Sequence, residues 1–325
     1  MARWSKLILL SLLSLLWACA EENAQIITGH PPGPYEMTLT TPTQIKAGEE
    51  TTLTTKITNT GDGTPIKNLR TLHERLVHNF IIKSDHSHFS HLHHEDFKPL
   101  TEVDIDSATL SFPYTFPKPG QYRLVSEFTD SKRSWTKHFD VQVGPSNNQI
   151  ESSLDYTRIS KLNGFKGTLS MSPEVPVAGA PIEMMVRLDK NNLPVNDLQL
   201  WLGSEAHVAI WKHDGKYFGH THSYTPSMKK MMRPILHKKQ AIPTDPAMMK
   251  KMMLKLMSQP AALIYKGPTI PLFFIFPHPG KYIMYVECAP SGQRIVFQFV
   301  FEVLPGTQKV GTNKYPVSES VEKMM

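Results

Sequence analysis

The chain has 325 residues and a formal charge of +6, a balance that on its own suggests an anionic partner. The charge is not evenly spread: residues 228–266 hold nine Lys or Arg against one acid, Asp245. This argues against a nucleic-acid-binding protein and for one local basic element.

Arg3 and Lys6 form a basic start, and Leu7 to Ala18 form an apolar run too short for a comfortable membrane span. Residues 1–18 therefore read as a signal peptide. Its end, Leu16-Trp17-Ala18-Cys19, resembles a bacterial lipobox. The resemblance implies cleavage before Cys19, lipid on that residue, and a lipoprotein facing the periplasm. Ala20 rather than Asp after the cysteine points to the outer membrane. Cleavage removes Arg3 and Lys6, so the charge falls from +6 to +4, and with +8 in the basic segment the rest of the mature chain is about −4. Cys288 is then the only thiol left, so no intramolecular disulfide forms, and it reads as a buried strand residue. Residues 19–34, with Gly29-His30-Pro31-Pro32-Gly33-Pro34, read as a tether from the lipid. No later stretch is long and apolar enough to cross a bilayer.

From Tyr35 the texture is all-β. Short β-branched or aromatic runs alternate with Gly, Pro, Asn and Asp. The pattern predicts strands near 36–41, 51–58, 76–83, 88–93, 108–115, 121–129 and 134–143. A second series falls near 167–172, 182–188, 207–212, 217–222, 269–276, 281–289 and 293–303. Two tandem immunoglobulin-like β-sandwich domains follow, over 35–145 and 166–305, joined by a linker at 146–165 and ending in a flexible tail at 306–325.

One histidine pattern occurs in both. His78, His91 and His93 recur 129 positions on as His207, His220 and His222, and Lys83, Asp85 and Phe89 recur at the same offset as Lys212, Asp214 and Phe218. Asp214-Gly215 between two apolar runs predicts a two-residue hairpin turn. That register sets His207 opposite His222, with His220 two residues before it on the same face. The same register sets His78 opposite His93. Each trio of imidazoles then projects from one patch, an arrangement that suits a transition metal. The competing reading is three packing histidines copied by duplication. His86, His88 and His94 read as exposed, offering at most a secondary metal surface.

Phe116-Pro117-Lys118-Pro119-Gly120-Gln121-Tyr122 recurs as Phe276-Pro277-His278-Pro279-Gly280-Lys281-Tyr282, at an offset of 160. This element reads as a structural turn between strands. The larger offset leaves the second unit 31 extra residues, filled by a basic, Met-rich insert at 227–266. Asp245-Pro246 predicts a helix start, after which Met249, Met252, Met253 and Met257 share one face away from Lys250, Lys251 and Lys255. Three readings stay open: a lid whose Met face packs on the sandwich, a soft thioether surface for Cu(I) or Ag(I), and a basic amphipathic helix on anionic lipid.

The stretches His78 to Asp85 with Phe89-Ser90-His91-Leu92-His93, and His207 to Asp214 with Phe218-Gly219-His220-Thr221-His222, resemble the YtkA-like family of secreted or lipid-anchored β-sandwich domains. The likeness covers most of residues 35–305. His94 and Ser223 stand where that family has proline. The resemblance implies a place near copper or heavy-metal handling. The sequence reading is thus a periplasm-facing lipoprotein that binds copper, or alternatively zinc, through His78, His91 and His93 and through His207, His220 and His222. It would buffer or deliver metal, or confer resistance to it, beside a membrane-associated copper protein. The alternative is a non-metal adhesion or assembly scaffold. No nucleophile pattern such as Gly-x-Ser-x-Gly is present, so an enzyme is not expected.

Overall fold

The computed structural model describes residues 24–72, 74–131, 133–145, 154–223 and 267–306. Among these residues the protein is all-β apart from helix α1 (Glu102–Ser107) and a 3-10 turn at His94–Asp96. The first half contains β1 (Ala24–Thr28), β2 (Tyr35–Pro42), β3 (Glu50–Asn59), β4 (Val77–Lys83), β5 (Phe89–Leu92), β6 (Thr109–Thr115), β7 (Gly120–Thr129) and β8 (Ser134–Val143). They form two antiparallel sheets, ordered β1-β2-β3-β6 and β5-β4-β7-β8. Alternation decides which side chains go inward. Met37, Leu39, Leu110 and Phe112 from one sheet meet Val77, Ile81, Leu124 and Phe139 from the other in one core. The result is sandwich-like.

The second half repeats the plan. It contains β9 (Ile159–Leu162), β10 (Phe165–Ser172), β11 (Pro181–Lys190), β12 (Leu193–Pro194), β13 (Leu198–Gln199), β14 (His207–Lys212), β15 (Phe218–His222), β16 (Thr269–Ile275), β17 (Gly280–Pro290) and β18 (Ile295–Val303). One sheet runs β12-β11-β10-β9 with β16 paired to β11, and the other runs β13-β17-β14-β15 with β18 paired to β17. Val186, Leu188, Val208, Ile210, Val286 and Phe297 lie in its core. Cys288 is buried there too, as expected of a strand thiol.

The two halves do not hang apart on a linker. Phe80, Ile82 and Val125 of the first half pack with Ala209, Trp211, Ile283, Tyr285 and Val300 of the second in a third apolar cluster. The sheet containing β4 therefore has protein on both faces, and every residue of β4 is buried. A strand covered on both sides reads as a continuous apolar run rather than an alternating one. Val77 and Ile81 turn to their own core, while Phe80 and Ile82 turn to the opposite half.

The repeated Phe-Pro-x-Pro-Gly-x-Tyr element is a corner that leads into β7 and β17. Gly120 and Gly280 sit at φ +133° and +130°, a region that disfavours any residue with a Cβ. A Cβ on them would also approach Lys83 Cε to 3.2 Å and Lys212 Cε to 3.0 Å. The hydroxyls of Tyr122 and Tyr282 each donate back to a carbonyl four residues earlier, Lys118 and His278, at 2.8 Å.

Two stretches differ from the sequence expectation. The expected tether at 19–34 contains β1, which pairs with β2 from Ala24↔Pro42 to Thr28↔Thr38. Ile26, Ile27 and Thr28 are β-branched and extend the open edge of the sheet, and the Gln25 amide donates to the Thr41 hydroxyl at 3.0 Å. Within the expected linker at 146–165, Ile159–Leu162 pairs with β10, and Phe165 is a core residue. The signal peptide, Cys19, the insert with Met249, Met252, Met253 and Met257, and the tail beyond 306 lie outside the described residues.

Candidate metal centre

The hairpins hold the histidines in the expected register. β14 pairs with β15 from His207↔His222 to Trp211↔Phe218, which sets His220 opposite Ala209. β4 pairs with β5 from Asn79↔Leu92 to Ile82↔Phe89, the register that brings His78 across from His93. The turns are wider than the two-residue type expected. Lys212 N–H donates to the Tyr217 carbonyl and Lys83 N–H to that of His88, so four residues fill each loop. The Asp214 and Asp85 carboxylates accept backbone N–H groups of Lys216 and Ser87, closing an Asx-type turn inside the loop. His78 shares a strand face with Phe80 and Ile82, and His207 with Ala209 and Trp211. Both sets thus open onto the face where the two halves meet.

In the first set three ring nitrogens converge. His78 Nδ1 lies 3.1 Å from His91 Nε2, and His93 Nε2 lies 3.0 Å from each of them. The outer nitrogens are held from behind: His78 Nε2 by the Leu72 carbonyl at 3.0 Å, His91 Nδ1 by Glu287 at 2.7 Å, and His93 Nδ1 by Asp96 at 2.8 Å. A carbonyl only accepts, so the outer nitrogen of His78 carries the proton and the inner one presents its lone pair. Asp96, and Glu287 when ionised, impose the same tautomer on His93 and His91. Three acceptor nitrogens then crowd together with no proton among them. That arrangement is unfavourable in a buried site and is relieved by a shared cation.

The second set repeats the plan. His207 Nδ1 lies 3.0 Å from His222 Nε2, while His207 Nε2 is held by the Trp201 carbonyl at 3.0 Å. His220 Nδ1 is held by Glu127 at 2.6 Å, and its Nε2 is buried with no hydrogen-bond partner among the described residues. In each set the candidate ligand atoms lie within 4.8 Å of one another. His78 and His207 offer Nδ1; the other four offer Nε2. All six rings are 1–5% exposed.

Burial sets the electrostatics. It pushes His91 and His207 well below the usual imidazole range, with the neighbouring rings adding to the effect, and lowers His220 to about 3. It also lowers His93, although Asp96 opposes the shift. These rings are therefore neutral and present ligand lone pairs without first losing a proton. Burial pushes Glu127 up to about 8 and Glu287 to about 7, the latter restrained by Arg294. A cation on the inner side of His220 and His91 would favour the ionised carboxylates behind them.

The flanking histidines are not the exposed surface expected. His86 and His94 are buried and His88 is half-buried. His86 packs against His213 across the interface, with ring centroids 5.2 Å apart. His94 accepts the Ser111 N–H, and His88 meets the Tyr114 hydroxyl at 2.7 Å. His94 and His88 thus satisfy polar groups on their own half, while both ring nitrogens of His86 are buried without a hydrogen-bond partner among the described residues. The residues missed from sequence are the partners behind the rings: Glu127, Glu287 and Asp96. A signal for two of them was present. Glu127 and Glu287 share the offset of 160 and are lone acids inside apolar strands.

Among solved structures, the protein is similar to pT26-6p (9% identity over 88% of this chain and 67% of that one, TM-score 0.26). It is also similar to the native conformation of Escherichia coli alpha-2-macroglobulin (10%, 83% and 17%, TM-score 0.22). A third is the fibronectin(III)-like modules of Clostridium thermocellum CbhA (10%, 86% and 100%, TM-score 0.19). The chain thus spans about a sixth of the alpha-2-macroglobulin chain. No curated protein matches. Residues 31–145 and 160–304, which carry one histidine set each, both match a family described as a domain of unknown function, DUF8832. The chain belongs to the DUF8832 family.

Proposed function

We propose that this protein is a lipid-anchored metal-binding protein of the bacterial cell envelope, with one transition-metal ion in each three-histidine set. The observation that carries this reading is the convergence of three ring nitrogens at 3.0–3.1 Å in the first set, each ring held from behind by an acceptor. Three neutral imidazoles leave a further coordination position open. Bound there, an ion would supply positive charge to a pocket of lone pairs. The near-complete burial of all six rings supports retention over turnover, and hence a role in buffering, delivery or resistance rather than catalysis.

Copper is the favoured ion and zinc the alternative. Imidazole suits both, but divalent copper binds a given nitrogen site more tightly than zinc. Eight methionines between 228 and 257 would add thioethers, which select Cu(I). The N-terminal pattern ending at Cys19 supports a lipid anchor, outer-membrane placement and delivery to a membrane-associated copper protein. The likeness to the YtkA-like family supports the same setting. For the fold, we infer tandem immunoglobulin-like domains. The hydroxyls of Tyr122 and Tyr282 bonding back four residues match the tyrosine corner of such sandwiches.

The test is metal content. The full chain is loaded with Cu(II), desalted and analysed by plasma mass spectrometry. Two ions per chain are expected, one in H93A or in H222A, and none above background in the double variant. The rival is a metal-free envelope scaffold, favoured by the apolar contact of Phe80, Ile82, Trp211 and Tyr285, which joins the halves without any ion. It predicts no copper above background in the unaltered chain.

A further inference from the structure

The glutamates behind the rings cross between the halves. Glu127 is the strand partner of His78 in β7, and Glu287 is the strand partner of His207 in β17. Paired residues share a sheet face, so each glutamate starts beside its own half's histidine set. Glu127 reaches over to His220 of the second half, and Glu287 reaches over to His91 of the first. All four side chains are 1–2% exposed. The rings also meet across the boundary, with centroids 5.3 Å apart for His78 and His220 and 5.7 Å for His91 and His207. Arg294 of the second half adds a bond to the His91 carbonyl at 2.6 Å.

We propose that Glu127 and Glu287 are positioning residues, each for the metal set of the opposite half, so that ion binding and docking of the two halves are linked. This rests on the metal reading above. A buried imidazole N–H needs an acceptor, and the acceptor fixes both the tautomer and the aim of the ring. For His91 and His220 that acceptor exists only while the halves are docked. By linkage, an ion that binds the aimed ring better than the unaimed one stabilises the docked arrangement by the same factor. A glutamate serving only its own half would affect the nearer set.

The crossing is tested in two single-set backgrounds of the full chain. H222A leaves the first set and H93A leaves the second, and both keep the two glutamates and their ring partners. Zn(II) is titrated against a chelator. In H93A, E127Q is expected to weaken binding about 10–100-fold and E287Q less than about threefold, and in H222A the order reverses. Loss at the set of the glutamate's own half, equal loss at both sets, or no loss at either overturns the proposal. If neither background binds Zn(II) or Cu(II) before the glutamates are changed, the metal reading itself fails, and this inference with it. Circular dichroism follows the fold of each variant. Should a glutamine variant not fold, the Zn(II)-loaded unaltered chain supplies the readout. Imidazole proton spectra are expected to show slowly exchanging, downfield Nδ1–H resonances for His91 and His220. Fast-exchanging, solvent-like signals from these rings overturn the proposal.

Discussion

The two histidine sets share a backbone plan and differ in how their charges are compensated. Both sit on hairpins of one register, and both have a ring held by a backbone carbonyl and another held by a glutamate from across the interface. In the first set all three inner nitrogens lie 3.0–3.1 Å apart; in the second the His207–His222 pair lies at 3.0 Å, and His220 Nε2 has no hydrogen-bond partner among the described residues. Glu287, behind the first set, is also paired with Arg294. Glu127, behind the second, has no cation paired with it among the described residues, and burial drives it further up. Geometry fixed by register and corner glycines is repeated closely between the halves. Charge compensation, carried by single side chains, is not.

Breaking the Arg294–Glu287 pair should have the larger effect on stability. R294M removes the guanidinium from a glutamate that is 1% exposed and also deletes the bond to the His91 carbonyl. Stranding a buried charge costs about 3–5 kcal/mol, and because the Arg294 side chain is 35% exposed the expected loss is about 2–3 kcal/mol in urea unfolding of the metal-free chain. A loss below about 0.5 kcal/mol, the range of an ordinary surface change, would erase the asymmetry drawn between the halves.

The corner glycines sharpen the other side of the comparison. Gly120→Ala and Gly280→Ala each place a Cβ at positive φ and within 3.0–3.2 Å of a lysine Cε. Each should cost about 1–2 kcal/mol, and the two losses should agree within about 0.5 kcal/mol. A clear inequality would show that the backbone frames are less alike than their hydrogen bonds indicate.

Much of the frame was legible in the sequence. Alternation located most of the strands from Tyr35 onward, and the Asp-Gly signal with the offset of 129 gave the hairpin register, hence the two histidine trios. Four short strands were missed, β1, β9 and the two-residue β12 and β13. Ile26-Ile27 lay beside a Gly-Pro run that reads as tether, and Ile159–Leu162 lay in a polar connection. The face-to-face packing of the halves was also missed, although the sequence held a trace of it. Val77 to Ile82 and Val208 to Trp211 are apolar or histidine on both faces but for Asn79, as expected where a sheet is covered twice. Alternation within one strand cannot say which surface supplies the second cover. For the same reason Glu127 and Glu287 could not be matched to rings 93 and 196 residues away.

The most direct measurement is anomalous diffraction from crystals of the copper-loaded chain. Two peaks are expected, one bounded by His78 Nδ1, His91 Nε2 and His93 Nε2, the other by His207 Nδ1, His220 Nε2 and His222 Nε2. Copper found elsewhere on the chain, with both trios empty, would contradict the account.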